Sequence, residues 1–260
     1  MQIKKLLWLR QAVFLTLFLL ALFVFWEFAS MEVKKLSFIL PRPSLIALRI
    51  VETASFFWHH SSVTIQEIVL GFFFAFLLAF SLGGLMLRSL FASLTLQPLF
   101  VIIQCVPMFT LAPLMIFWFG WSKIAIIIPT ALMIFLPLTL NIYRGLVSTP
   151  HFLVDFFQVN GATQWKIFYK LRLPWALPQI FSGLRISVAV AGVGAIGGEW
   201  AGAQEGLGLL MQESRRNADF EMAFAALFCL IIISLIFYTL LLTLEKILLR
   251  KHSTQRTKVC

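Results

Sequence analysis

The sequence has little charge, and that shortage decides its class. Only 12% of the 260 residues are charged, while 60% are hydrophobic and the mean hydropathy is +0.93. A soluble domain cannot bury so much apolar surface, because the ratio of surface to volume of a folded chain falls too slowly as the chain grows. The long apolar runs therefore place the chain among integral membrane proteins.

Cysteines are also few, and a nucleotide-binding motif is absent. Cys105 and Cys229 lie inside apolar runs, Cys260 is the last residue, and no C-x-x-C or cysteine–histidine spacing occurs. The sequence therefore predicts neither a disulfide framework nor a metal site. The glycine-rich stretch GAQEGLG at 202–208 lacks the Lys-Ser/Thr pair and the preceding strand of a phosphate-binding loop. We expect the chain to bind no cofactor.

Six apolar segments are long enough to cross a bilayer as helices, which takes about 20 residues. They cover about 11–29, 63–87, 91–119, 122–142, 176–199 and 220–249. We predict an all-α integral membrane fold with six transmembrane helices, because only helices satisfy their own backbone in lipid. We divide the chain into an N-terminal span with an outer loop (1–62), a core (63–250) and a tail (251–260). A signal peptide is the alternative for the first segment, but "EFAS" is a poor cleavage site.

The distribution of lysine and arginine predicts the orientation. With both termini in the cytoplasm, 13 of the 21 basic residues fall on the cytoplasmic side, 7 fall on the outer side, and Arg185 lies within the fifth span. Such a bias is typical of cytoplasmic loops. Residues 143–175 then form the longest cytoplasmic loop.

This loop contains two predicted helical stretches. Pro150 suits the first turn of one helix, Gly161 permits a turn with positive φ, and Pro174 is expected to stop the second stretch. The second stretch places three aromatic residues on one face, namely Trp165, Phe168 and Tyr169. Two interpretations remain open from the residues alone. The aromatic face either docks on a partner protein or rests on lipid headgroups, with Lys166 and Lys170 touching phosphates.

The loop resembles the cytoplasmic signature of bacterial ATP-binding cassette importer permeases. That signature reads Glu-Ala-Ala, three residues, Gly, nine residues, Ile, one residue, Leu-Pro. Gly161 takes the glycine position here, and Leu173 and Pro174 take the Leu-Pro position. Asp155 replaces the glutamate, and Phe156 and Phe157 replace the two alanines. The resemblance implies that the loop is a coupling helix, between the fourth and fifth spans, that docks on an ATPase subunit.

Two further stretches extend the resemblance over most of 60–250. TLAPLMIFWFG at 110–120 and GEWAGAQEGLGLLM at 198–211 are similar to segments of the branch for nitrate, sulfonate, taurine and thiamine-precursor uptake. The resemblance implies a type I importer permease in the bacterial inner membrane, with no catalytic residues of its own. Its implied partners are an ATPase that uses ATP and magnesium, an extracytoplasmic solute-binding protein and a second copy of itself. No nucleic acid is implied.

Several polar residues within the spans are candidates for the translocation path, each with an alternative. They are Gln104, Thr110, Arg185, Ser187 and Glu199. Gln104 and Thr110 flank a proline that either lines a cavity or merely kinks the third span. Arg185 contacts an anionic substrate or a gate, or else reaches the interface or a backbone carbonyl. Ser187 belongs to a row of small residues that suits close helix packing. Glu199 either braces the outer gate or contacts the substrate.

The competing function is a self-sufficient secondary transporter or channel. A carboxylate relay within the membrane and an inverted repeat would support it, and neither is evident in the sequence. A membrane-embedded enzyme has less support, because His59 and His60, which we place in an outer loop, have no catalytic companions.

Overall fold

The computed structural model describes residues 2–32 and 39–256, and within them the chain forms helices and no strand. In chain order the helices are α1 Gln2–Glu32, α2 Pro43–Glu52, α3 Ala54–Arg88, α4 Leu90–Gln104, α5 Met108–Phe119, α6 Lys123–Val147, α7 His151–Val159, α8 Gln164–Ile167, α9 Leu173–Gly202, α10 Leu207–Arg216 and α11 Phe220–Arg256. A π-helical turn, Phe168–Arg172, joins α8 to α9. Four residues lie outside the described ones: Cys260 and three of the lysines counted for the orientation, namely Lys34, Lys35 and Lys258.

By length and composition these helices supply five membrane spans, or six if one bent pair counts as a span. The five single ones are Val13–Glu32, Ala54–Arg88, Lys123–Val147, Gln164–Gly202 and Phe220–Leu249. The sixth is a broken pair, α4 and α5, which are together long and apolar enough to cross. The predicted all-α membrane fold is confirmed, with six spans if the broken pair counts as one.

The second span begins earlier than the sequence predicted. It starts at Ala54 instead of 63, so His59 and His60 lie on α3 and our placement of them in an outer loop was wrong. A helix of 35 residues is roughly 50 Å long, well above the thickness of the hydrocarbon layer. The first turns of α3 therefore reach beyond it and pack against α10.

The third span is broken, not kinked. α4 ends at Gln104, α5 begins at Met108, and their axes differ by 99°. Pro107 has no N–H to continue a helix, and it instead precedes α5 in an extended conformation. The sequence prediction of one helix over 91–119 was wrong at this point.

Helices α6 and α9 form the centre of the bundle and touch along their backbones. A Cβ built on Gly198 would lie 2.6 Å from the carbonyl oxygen of Ile126, and one on Gly194 would lie 2.9 Å from the Cα of Thr130. On the other side of α6, a Cβ on Gly71 of α3 would lie 2.8 Å from the Cγ2 of Thr130. Small residues at such contacts let helices approach closely in lipid. α1 is peripheral and packs its Trp26 against two phenylalanines of α11.

Candidate functional site: the loop after the fourth span and the polar contacts of the fifth

Helix α7 ends in a tight, glycine-dependent turn. The N–H of Ala162 donates to the carbonyl of Phe157, and the N–H of Gly161 donates to the carbonyl of Gln158, both at 2.9 Å. This pair of bonds is the Schellman motif, which needs a left-handed residue after the helix. Gly161 supplies it with φ +73°. Thr163 then caps the next helix by accepting from the N–H of Lys166 at 3.4 Å. The predicted turn at Gly161 is therefore present.

The outward face of α7 is apolar. Phe152, Phe156 and Val159 are 69%, 64% and 88% exposed, whereas Val154 is buried and holds the helix to the bundle. The rest of the signature positions on α7 lie beside this face, with Asp155 exposed and Phe157 half-buried. An exposed apolar face on a short ordered helix is typical of a surface that binds another protein.

The Leu-Pro end of the signature lies inside a helix, so the prediction that Pro174 stops the second stretch was wrong. The chain passes from α8 through the π turn into α9, which starts at Leu173. In the π turn the N–H of Leu173 donates to the carbonyl of Phe168, five residues back. This widened turn accommodates the proline ring and its missing hydrogen bond at the start of α9. Leu173 and Pro174 are half-buried there.

The three aromatic residues of the second stretch contact one another as the prediction of one face requires, but they are not equally exposed. Trp165 and Tyr169 stack at 5.6 Å with both rings exposed, and the guanidinium of Arg88 lies 5.0 Å above the Trp165 ring. Phe168 is half-buried and packs edge-on against Phe80 of α3. The second stretch is therefore attached to the end of a membrane span.

The candidate path residues are dispersed in the structure. Gln104 and Thr110 lie on either side of the break in the third span and are exposed, and the Thr110 hydroxyl donates to the carbonyl of Pro107 at 2.6 Å. Ser187 is fully buried between α9 and α6, where its hydroxyl donates to the carbonyl of Ile134 at 3.1 Å. A role for these three in the path stays a prediction.

Arg185 has a partner that the sequence analysis did not name. Its Nη1 donates to both carboxylate oxygens of Glu245 on α11, at 2.9 and 3.1 Å. The Glu245 side chain is mostly covered. Charges within spans are costly and usually pair with one another. The pair therefore links the fifth span to the sixth and neutralises the charge of Arg185.

Glu199, at the other end of α9, holds the start of α10. It is fully buried and accepts hydrogen bonds from the backbone N–H groups of Gly208 and Leu209. The Thr64 hydroxyl donates to Glu199 Oε1 at 2.6 Å and accepts from the N–H of Leu207 at 2.9 Å. A carboxylate at a helix N-terminus accepts hydrogen bonds from the free N–H groups there. It also interacts favourably with the positive end of the helix dipole. These contacts hold the start of α10 against α9 and α3, and a role for Glu199 in the translocation path stays a prediction.

Two more α3 side chains complete this network. The N–H of Gly206 donates to His60 Nδ1 at 3.1 Å. Glu67, one turn beyond Thr64, is buried, interacts with the Glu199 carboxyl, and leaves its Oε2 without a hydrogen-bond partner. Sequence reasoning missed Glu67 and Glu245, although an acidic residue within a span is itself a signal of a functional or paired group.

Comparison with known proteins identifies the family. A model of binding-protein-dependent transport system inner membrane components matches residues 67–253. The chain belongs to this family. The permease is 38% identical to a probable ABC transporter permease protein of Haemophilus influenzae over 77% of this chain and 82% of that protein. It is 36% identical to the formylaminopyrimidine transport permease protein ThiX of Halalkalibacterium halodurans over 92% of this chain and 96% of that one.

A solved structure shows the fold of the permease. A chain of the MetNI methionine ABC transporter, in inward-facing conformations, matches it with a TM-score of 0.62 at 19% identity, over 72% of this chain and 93% of that chain. The prediction of a type I importer permease is confirmed, and the alternative of a self-sufficient transporter or channel has no support among these relatives.

The contacts of Glu199 predict what its loss would do to the permease. Glu199→Ala leaves the N–H groups of Gly208 and Leu209 unpaired, and losing such a cap costs about 0.5–2 kcal/mol. We expect amide hydrogen exchange of residues 206–210 to become faster. The matched control is Glu205→Ala, which removes a carboxyl group from an exposed pair with His59. Equal rates of amide hydrogen exchange at residues 206–210 in both variants would contradict a bracing role for Glu199.

The ion pair predicts a coupling between Arg185 and Glu245. Either single change to leucine leaves one charge unpaired within the bundle and should lower the thermal midpoint of the purified permease. The double variant Arg185→Leu/Glu245→Leu should recover part of the loss, with a coupling energy of about 0.5–3 kcal/mol. Transport by the double variant decides the role of Arg185, because a contact with an anionic substrate would leave it inactive despite recovered stability.

Proposed function

We propose that this permease is the homodimeric membrane core of an importer driven by a separate ATPase, which docks on α7. The exposed apolar face of α7, formed by Phe152, Phe156 and Val159, carries this proposal. The Schellman turn at Gly161 fixes that face relative to α9, because it connects α7 to the helix that runs through the bundle. A push on α7 would therefore be transmitted to the fifth span.

The remaining partners follow from the family and the charge distribution. Both termini lie in the cytoplasm of a bacterium, since 13 of the 21 basic residues then fall on that side. The ATPase uses ATP and magnesium, and the permease itself binds no cofactor and catalyses no reaction. A solute-binding protein delivers the substrate at the opposite end of the bundle, where α10 and the start of α3 lie.

The proposed substrate is a small nitrogen heterocycle of the thiamine-pyrimidine-precursor type. ThiX is named for formylaminopyrimidine and matches over 92% of this chain. Nitrate, sulfonates and taurine, the other substrates of the branch, all carry an anionic group that an unpaired cation would recognise. Among the described residues Arg185 is the basic side chain deep within a span, and Glu245 already neutralises it. This pairing favours the heterocycle over the anions.

The docking proposal predicts the effect of charge on α7. The double variant Phe156→Asp/Phe157→Asp would place carboxylates in an apolar contact, which is unfavourable without partners. We expect normal abundance in the membrane, since no span is altered, and capture of the ATPase at least tenfold weaker, which is about 1.4 kcal/mol. The control Phe156→Leu/Phe157→Leu keeps the face apolar and should retain capture. Undiminished capture by the aspartate variant would refute docking on α7.

The substrate proposal is tested in liposomes that contain the permease, its ATPase and its binding protein. Formylaminopyrimidine should stimulate ATP hydrolysis and accumulate inside, whereas taurine and nitrate should do neither, because Arg185, the basic side chain deep within a described span, is already paired with Glu245. Stimulation by taurine or nitrate and not by the pyrimidine would show that the substrate class is wrong.

A further inference from the structure

The loop after the fourth span carries two separate aromatic surfaces, and the docking of an ATPase accounts for one of them. The first is the outward face of α7. The second is a platform of Trp165, Tyr169 and Arg88, in which the two rings stack at 14° and the guanidinium covers the Trp165 ring. Trp165 and Tyr169 are each 57% exposed. This second surface has no assigned partner.

The platform lies where a membrane span ends. Phe168, between its two rings in sequence, packs edge-on against Phe80 of α3. Arg88 is the last residue of that helix, roughly 12 Å further along by helical rise. The platform therefore lies beside the last two turns of a membrane-crossing helix. This is the level of the bilayer at which tryptophan and tyrosine concentrate.

The chain segments that form the platform are basic. Lys166 and Lys170 lie beside the two rings on the same helical stretch, and they and Arg88 are exposed. Within 68–198 the sequence contains a single acidic residue, Asp155, and it lies on α7. None of these three basic side chains forms a salt bridge within the described residues. The partner that complements this surface is therefore anionic.

We propose that the platform, with Lys166 and Lys170, binds the headgroup of an anionic phospholipid. The basic side chains contact the phosphate, and the two stacked rings lie at the boundary of headgroups and acyl chains. The headgroup anchors the base of the loop to the bilayer while α7 stays free for a protein. The two interpretations left open by the sequence thus apply to different parts of the same loop.

This assignment rests on the proposed function for the role of α7, but the lipid contact does not depend on it. A lipid at the base of the loop keeps α8 and the π turn in place against α3. A movement of α7 would then reach α9 and not be absorbed by the loop. Anionic lipid is thereby a structural partner of the coupling region.

The test is a titration of the detergent-solubilised permease with phosphatidylglycerol, followed by native mass spectrometry, with phosphatidylcholine as the neutral comparison. The variant Lys166→Gln/Lys170→Gln should bind phosphatidylglycerol about fivefold more weakly for each charge removed, with phosphatidylcholine unchanged. Arg88→Gln, on another helix, should weaken binding independently. Trp165→Ala should also weaken it, although it removes no charge.

The matched control is Arg215→Gln/Arg216→Gln, which removes two exposed charges from α10 at the opposite end of the bundle. It should leave phosphatidylglycerol binding unchanged. An equal loss in this control, or no loss in the platform variants, would overturn the proposal.

Capture of the ATPase is measured on the same preparations and should persist in Lys166→Gln/Lys170→Gln. If capture is lost there while lipid binding persists, the platform belongs to the ATPase. If only Phe156→Asp/Phe157→Asp fails to capture the ATPase, docking on α7 is supported and the result for phosphatidylglycerol binding is unaffected.

Discussion

The close approach of α6 and α9 is the contact on which the other features depend. At Gly198 and Gly194 the two helices touch so closely that a single methyl group would lie within 3 Å of the facing backbone. Lipid offers no hydrophobic driving force between helices, so packing of this kind and buried hydrogen bonds such as Ser187 to Ile134 hold them together. Any loosening of this contact would displace α9 along its whole length.

Helix α9 connects the cytoplasmic loop, the Arg185 ion pair and the Glu199 network. Its start continues from the loop through the π turn, Arg185 joins it to α11, and Glu199 joins its far end to α3 and α10. A rigid helix with a contact at each level is suited to transmit displacement from one side of a membrane to the other. This arrangement explains why the polar residues of α9 are engaged in pairs and networks between helices. A free cation for an anionic substrate is not among them.

The prolines show why local sequence is an incomplete guide to helix ends. Pro107 separates two helices at 99°, whereas the chain passes through Pro174 as one helical stretch. Both residues lack an N–H and disturb the preceding turn. The outcome differs because a π turn before Pro174 redirects the backbone hydrogen bond of Leu173, and the half-buried Leu173 packs against the core. Whether such a turn is stabilised depends on neighbouring helices, which the sequence does not display.

The sequence by itself determined the membrane class, the apolar segments that supply the spans, the turn at Gly161 and the family. These depend on properties of contiguous residues, namely the length of apolar runs, the freedom of glycine at positive φ, and the spacing of a motif. Only the tertiary structure decided that Arg185 pairs with Glu245, that Glu199 meets Thr64, and that the loop presents two surfaces. The partners in these contacts lie 60 and 135 residues apart. They meet because of how whole helices pack, which no local pattern of residues specifies.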